Sequence, residues 1–322
     1  MSPLVSVVTP VYNGARFLGE CIESVLAQSF TDFEHVILDN ASTDDTRTIV
    51  EGYAIRDSRI RYRRNCTTVP MLQNWNKAMS LMSSASKYCK VVHADDTLMP
   101  DCLARMVDVA EAHPTVVIVG AYRLDGNEIN MVSIPSPVRF VEGRELCRRR
   151  LLGEWRDLFG SPSSIMYRAD RVRERSAFYN LDNPHADTEI CFDLLRNGDY
   201  GFVHEVLTRS RRHQAAETTQ ARRMGTHGVA RLEIAHRYGG DFLSPAEQRN
   251  AVDLQLRFEY RFLGANVVRL VREDAFRRYH FDALRDCGVQ PSWPRIVGEA
   301  ALGAVRNLYR SLRSVLTRVV PA

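Results

Sequence analysis

Asp95 and Asp96 stand side by side in KVVHADDTLMP, directly after the short apolar run 90–93. Adjacent like charges repel, and an acidic surface turn is the bland account of them. The same pair also suits a divalent cation that bridges to a diphosphate. Mg²⁺ and Mn²⁺ take one or two carboxylates and leave their other positions to phosphate oxygens and water. Two further polar clusters follow apolar runs: Thr9, Pro10, Tyr12 and Asn13 after residues 4–8, and Asp39 with the turn residues 40–43 after residues 35–38. Asp187 opens the helical pattern of HADTEICFDLLRNG, where an N-cap is the ordinary role of such an acid; Glu189 follows two residues later.

These clusters matter because of what precedes them. Residues 4–8 read as a strand stopped by Pro10, and 15–27 carry Phe17, Leu18, Ile22, Val25 and Leu26 at helical spacing. Strand-like runs at 35–38, 59–63 and 90–93 then alternate with helical patterns at 46–53 and 71–82. Such alternation implies a parallel sheet, and open parallel sheets take ligands beyond the carboxyl ends of their strands, where all three clusters fall. From residue 116 the rhythm changes: strands at 116–119, 138–141, 164–167 and 200–206 are interleaved with helices at 144–152 and 186–197. Beyond His213 the chain turns helical and Arg-rich, which places a soft boundary near residue 215: an α/β domain over 1–215 and a helical extension over 216–322.

The chain has 322 residues, 45% of them hydrophobic and 25% charged, values of an ordinary globular protein with one large core and an appendage. The net charge of +4 rests on Arg, since Lys occurs only at Lys77, Lys87 and Lys90. Arg forks pair well with phosphate oxygens, and an Arg-rich genome would leave the same mark. The seven cysteines show neither a CxxC pair nor metal-ligand spacing, as expected of reduced thiols. With no basic, apolar leader and no spanning apolar window, the expected place is the cytoplasm. No pattern calls for nucleic acid. GxGxxG and GxxxxGK[ST] are both missing from VTPVYNG, which argues against a dehydrogenase or a P-loop enzyme.

VSVVTPVYNGARFLGECIESVLAQSF, HVILDNASTDDT and KVVHADDTLMPDCL resemble, in order and spacing, the N-terminal half of glycosyltransferase family 2, and HADTEICFDLLRNGDYGFV resembles the family's later segment with the catalytic base. The resemblance covers roughly residues 4–213. It implies a GT-A-like, mostly parallel α/β sheet flanked by helices, and an inverting transfer of sugar from a nucleoside-diphosphate sugar, UDP-linked first, to a glycan or lipid-linked acceptor in cell-surface polysaccharide synthesis. By the same resemblance Thr9, Pro10, Tyr12, Asn13 and Asp39 hold the nucleoside, Asp95 reaches the ribose or supports the metal, Asp96 binds Mn²⁺ or Mg²⁺, and Asp187 is the general base, with Glu189 its rival. His213 falls where some relatives bring a histidine to the metal; a plain loop histidine is the alternative.

Departures from the pattern are also visible: Asn40 after Asp39, His93 where the metal motif usually starts with an acid, and Ala186 before Asp187. Trp75 and Lys77 could face the diphosphate or lie on an ordinary helix face. Asp44 and Asp45 read as helix caps, and Arg209, Arg211 and Arg212 as a basic face that could meet phosphate. Residues 297–320 form a basic amphipathic pattern suited to peripheral contact with the inner face of a membrane, to docking on the protein, or to a second subunit. A silent nucleotide-sugar-binding protein and a sugar-phosphate nucleotidyltransferase are the competing functions; the second usually has a Gly-rich basic loop after its first strand, which residues 9–14 do not supply.

Overall fold

In the computed structural model, which describes residues 2–211, 221 and 223–305, the first strand β1 (Val5–Val11) does not stop at Pro10. It pairs in parallel with β2 (Phe33–Asp39) as far as Val11, but with β4 (Tyr88–Val91) only as far as Val8. The reason is chemical. The Val92 N–H donates to Val8 O, so the next rung of a parallel ladder would need an N–H from Pro10, which has none. Proline thus ends the ladder on one side and leaves the other intact, and the chain after Val91 is released into the HADD segment.

Between these strands run α1 (Ala15–Leu26), α2 (Thr46–Ala54), β3 (Ile60–Arg64) and α3 (Met71–Ser80), as the alternating pattern implies. Asp44 serves two helices at once: Oδ2 accepts the Ala15 N–H of α1 (2.9 Å) and Oδ1 the Thr46 N–H of α2 (3.1 Å). Next come β5 (Thr97–Leu98), α4 (Cys102–Ala112), β6 (Val116–Asp125), β7 (Glu128–Asn130), β8 (Phe140–Val141) and α5 (Gly143–Leu151). A 3₁₀ turn (Pro162–Ser164) leads into β9 (Ile165–Arg168), followed by α6 (Ala169–Arg173), α7 (Ala186–Leu194) and the long β10 (Asp199–Ser210).

All ten strands join one sheet, in the order β3-β2-β1-β4-β9-β6-β10-β5, with β7 on β6 and β8 on β10. β1, β2, β3, β4, β6 and β10 share a direction, and β9 runs against both of its neighbours. The sheet is therefore mixed and mostly parallel. Val11, Ile37 and Ile60 pack with Leu18, Ile22 and Val50 of the first two helices, while Leu103 and Met106 of α4 pack with Val116, Val119 and Val203.

The chain divides into two compact units, Met1–His213 and Gln214–Ala322. The second is helical: α8 (Thr226–Phe242), α9 (Pro245–Ala265), α10 (Val267–Arg272), α11 (Asp274–Asp286) and α12 (293–305). Ser244 and Glu247 form a capping box at the start of α9 with Pro245 in its first turn. Leu232, Tyr260, Leu263, Leu270, Phe276 and Leu284 make the core, beside a buried contact of 2.6 Å between His280 Nδ1 and Glu259 Oε1. Among the described residues no helix is long and apolar enough to cross a membrane. Most of the basic amphipathic pattern at 297–320 lies outside the described residues, since these end at 305.

Gly143 shows how tightly the far side of the sheet is joined. A Cβ there would sit 2.0 Å from Gly198 O and 2.7 Å from Leu195 O, backbone atoms that cannot step aside. Gly143→Ala should therefore destabilise the protein by about 1–3 kcal/mol, the usual range of overpacking. Urea unfolding of the two proteins measures it, and equal midpoints would show that this junction yields.

Candidate active site

The carboxyl ends of β1, β2 and β4 lie next to one another, as their parallel registers require. The antiparallel β9 contributes its beginning at the same edge, so the 3₁₀ turn before it arrives beside the end of β4. The ends of β6, beside β9, and of β10, beside β6, complete the row.

At the β1–β2 end the chain is knotted by side-chain to backbone bonds. The Asn13 N–H donates to Ser42 Oγ (2.8 Å), and Asn13 Oδ1 accepts the Thr43 N–H (2.8 Å). Asn13 holds φ 50, a left-handed value that Asn tolerates better than most residues. Asp39 is fully buried; Oδ1 accepts the Ser42 N–H (2.7 Å), and Oδ2 accepts from Tyr62 Oη (2.9 Å) and Arg64 Nε (3.0 Å). Burial raises its pKa, but the bonds from Ser42, Tyr62 and Arg64 outweigh burial and hold it below the ordinary carboxylate value. Tyr12 presents its ring at the same end, 54% exposed.

Thr9, matched by the resemblance to a nucleoside-holding position, has its side chain inside the protein. It is fully buried, and its hydroxyl lies 2.9 Å from His35 Nε2. Desolvation lowers the His35 pKa to about 3, so the imidazole is neutral. Thr9 and the likewise buried Pro10 therefore shape the strand end from beneath. Asn40, the departure after Asp39, joins a buried amide network with Asn65 and Asn74 and pins both backbone groups of Val69.

At the end of β4, His93, Asp95 and Asp96 each offer a ligand atom within 4.8 Å of the others. Ser163, in the 3₁₀ turn, accepts the His93 N–H on its Oγ (3.0 Å), and its carbonyl accepts from the fully buried Lys90 Nζ and from Thr208 Oγ1 (2.9 Å). Asp96 is 4% exposed, and desolvation raises its pKa, with Asp95 adding to the rise and His93, Ser163 and Ser210 opposing it. His93 Nε2 is buried without a hydrogen-bond partner among the described residues. A buried charge, a neighbouring carboxylate and an unsatisfied ring nitrogen together fit a divalent cation, which would neutralise the first and bind the last.

The segment before Asp187 is tied to α3, and Asp187 lies within electrostatic reach of His93. Asn76 of α3 accepts the Tyr179 N–H (2.7 Å) and donates to Tyr179 O (2.8 Å), while Trp75 lies with ring centroids 4.6 Å from His93 and 5.5 Å from Tyr179. Trp75 is thus part of the site, whereas Lys77 is exposed on α3. Helix α7 begins at Ala186, so Asp187 is its second residue and not the N-cap; its Oδ1 accepts the Thr188 N–H (2.8 Å). Desolvation raises the Asp187 pKa, opposed by the Thr188 bond and by electrostatic interaction with His93 and Arg123. Glu189 is occupied elsewhere: Oε2 accepts from Asn180 (3.0 Å) and Asn183 (2.8 Å) and braces the loop before α7.

Arg211 pairs with Glu20 and feels Asp95 and Asp96, so one member of the basic cluster 209–212 does lie near the acids. Arg209 is exposed, and Arg212 and His213 lie outside the described residues. Ser163, Arg123 and Ser210 carry no sequence signal of their own and become visible only through the sheet order.

Residues 6–173 match the family model described as "Glycosyl transferase family 2". The chain is 31% identical over 250 residues to "Putative glycosyltransferase EpsE" of Bacillus subtilis, covering 65% of this chain and 89% of that one. It is 27% identical over 176 residues to "Glycosyltransferase GlyG" of Streptococcus pneumoniae, covering 52% of this chain and 55% of GlyG, about half that relative's length. Among solved structures, S. aureus TarS 1-349 in complex with UDP-GlcNAc superposes with a TM-score of 0.64 at 17% identity, covering 89% of this chain and 80% of that one. The Pyrobaculum calidifontis mannosyltransferase PcManGT in complex with GDP-Man and Mn²⁺ superposes with 0.56 at 17%, covering 98% and 84%. The fold is GT-A, and the chain belongs to glycosyltransferase family 2.

Proposed function

We propose that the chain is an inverting glycosyltransferase that moves a sugar from a nucleoside-diphosphate sugar, a UDP-sugar first, to a hydroxyl of a glycan or lipid-linked acceptor in cell-surface polysaccharide assembly. The observation that carries this reading is the cluster of His93, Asp95 and Asp96 at the carboxyl edge of the sheet, with Asp187 near enough to interact electrostatically with His93. A nucleotide-sugar donor is supported by the UDP-GlcNAc in the TarS structure and the GDP-Man in that of PcManGT.

The nucleoside end is assigned to Tyr12, Asn13 and Asp39, set from beneath by Thr9 and Pro10. An exposed aromatic face can stack on a base, and an ionised Asp39 can only accept, which suits the imide of uracil or a ribose hydroxyl. Asp95 is assigned to the ribose and Asp96 to the cation, Mn²⁺ or Mg²⁺. When bound, that cation would neutralise charge gathering on the departing diphosphate. His213, whose place lies outside the described residues, is kept as a further candidate ligand. Asp187 accepts the acceptor's hydroxyl proton while that oxygen bonds to the anomeric carbon, on the face opposite the breaking bond to the diphosphate. Its raised pKa makes it a stronger base than an exposed Asp.

Added UDP should stabilise the purified protein against heat when Mn²⁺ is present, by about 2.7 kcal/mol at a hundred times its dissociation constant. Chelator and the Asp96→Ala substitution should each remove most of that gain; a UDP shift indifferent to both would take the metal out of the proposal. Asp187→Asn should keep binding UDP and Mn²⁺ while transfer slows by about 10²–10⁴-fold. Wild-type turnover in that variant would reject Asp187 as the base. Because burial raises its pKa, Asp187 takes up its proton, and activity falls, as pH drops through a value above the usual ~3.9. An acid limb at or below the usual value contradicts the assignment.

A further inference from the structure

His93 sits where the metal motif usually carries an acid, which would give the cation a further carboxylate. A ring nitrogen of His93 lies within 4.8 Å of carboxylate oxygens of Asp95 and Asp96, and two donors on opposite sides of an ion of Mg²⁺ size stand about 4.2 Å apart, so side-chain movements of a few tenths of an ångström bring them onto one ion. The ring is held in place before any ion arrives: its backbone N–H is fixed on Ser163 Oγ (3.0 Å), and Trp75 packs against it at 4.6 Å. Nε2 is buried and without a partner among the described residues, although the acidic groups around it would reward a proton donor or a bound cation. Asp96 is 4% exposed and cannot turn outward to a hydrated ion at the surface.

An imidazole changes the chemistry of the set. Carboxylates and water suit Mg²⁺, which demands hard oxygen ligands, whereas imidazole nitrogen suits the softer first-row ions and follows their rising order from Mn²⁺ to Co²⁺. Replacing a carboxylate by a neutral ring also removes one negative charge, which weakens the hold on a hard cation most. We propose that His93 is a direct ligand of the cation and sets the site's preference for Mn²⁺ and Co²⁺ over Mg²⁺. This inference rests on the metal-dependent reading of the same site.

The test uses the full chain with UDP. Electron spin-echo modulation of bound Mn²⁺ detects a coordinated ¹⁴N directly, and calorimetry gives the Mn²⁺ and Mg²⁺ affinities. ¹⁴N modulation is expected in the wild type and in His213→Ala and is expected to vanish in His93→Asp. The Mn²⁺ over Mg²⁺ affinity ratio should fall by about tenfold or more in His93→Asp, which restores an all-oxygen set. Bound Mn²⁺ without ¹⁴N modulation in the wild type overturns the proposal while leaving the metal-dependent reading intact, and so does modulation lost in His213→Ala. The wild type and His213→Ala decide the matter even where His93→Asp fails to fold. UDP binding with no Mn²⁺ uptake would overturn both this inference and the metal in the proposed function.

Discussion

Lys90 is fully buried within β4, and an ammonium ion in such surroundings costs several kcal/mol unless it finds acceptors. Desolvation lowers its pKa accordingly. Its acceptors are the carbonyls of Ser163 and Ile165, and the Thr208 hydroxyl shares the first. The core's demand for a partner therefore decides where the turn 162–164 must lie. That turn in turn decides the HADD segment, because Ser163 Oγ takes the His93 N–H and stands beside Asp96. A stability requirement inside the sheet and the placement of reactive groups at its edge are met by one residue.

The row of polar groups along that edge is divided electrostatically. At the β1–β2 end Asp39 is buried yet held ionised by an amide, a phenol and a guanidinium, and His35, against Thr9, stays neutral. At the other end burial wins: Asp96 and Asp187 are both pushed upward, with fewer donors to compensate. The first end is preorganised to accept hydrogen bonds without change. The second is under electrostatic tension that a cation or a proton relieves, which is the condition in which metal binding and base catalysis gain most from a low-dielectric site.

Strand, turn and helix recur so regularly through residue 93 that sheet direction, and with it the edge where the polar clusters gather, can be read from hydrophobic period alone. What the period cannot carry is the partner of each polar side chain. His93 meets Ser163 across 70 positions and Lys90 meets it across 73, and no local pattern encodes such pairs. Thr9 shows the converse difficulty: its residue type and place at a strand end suit a ligand contact, yet the neutral His35 opposite claims its hydroxyl. Pro10 was legible as a stop, but only the register reveals that it stops one ladder and spares the other.

The reversed direction of β9 has a consequence for how the site comes into being during synthesis. A parallel strand in that place would deliver its far end to the edge; the antiparallel one delivers the segment that precedes it, and β10 adds Ser210 later still. The motif letters of the first hundred residues thus leave the ribosome well before Ser163, Asp187 and Ser210. Until those residues follow, His93 lacks the Ser163 hydroxyl that takes its N–H, and Asp96 lacks Ser163 and Ser210. The emerging N-terminal half carries the signature of its family before the partners that fix its acids exist.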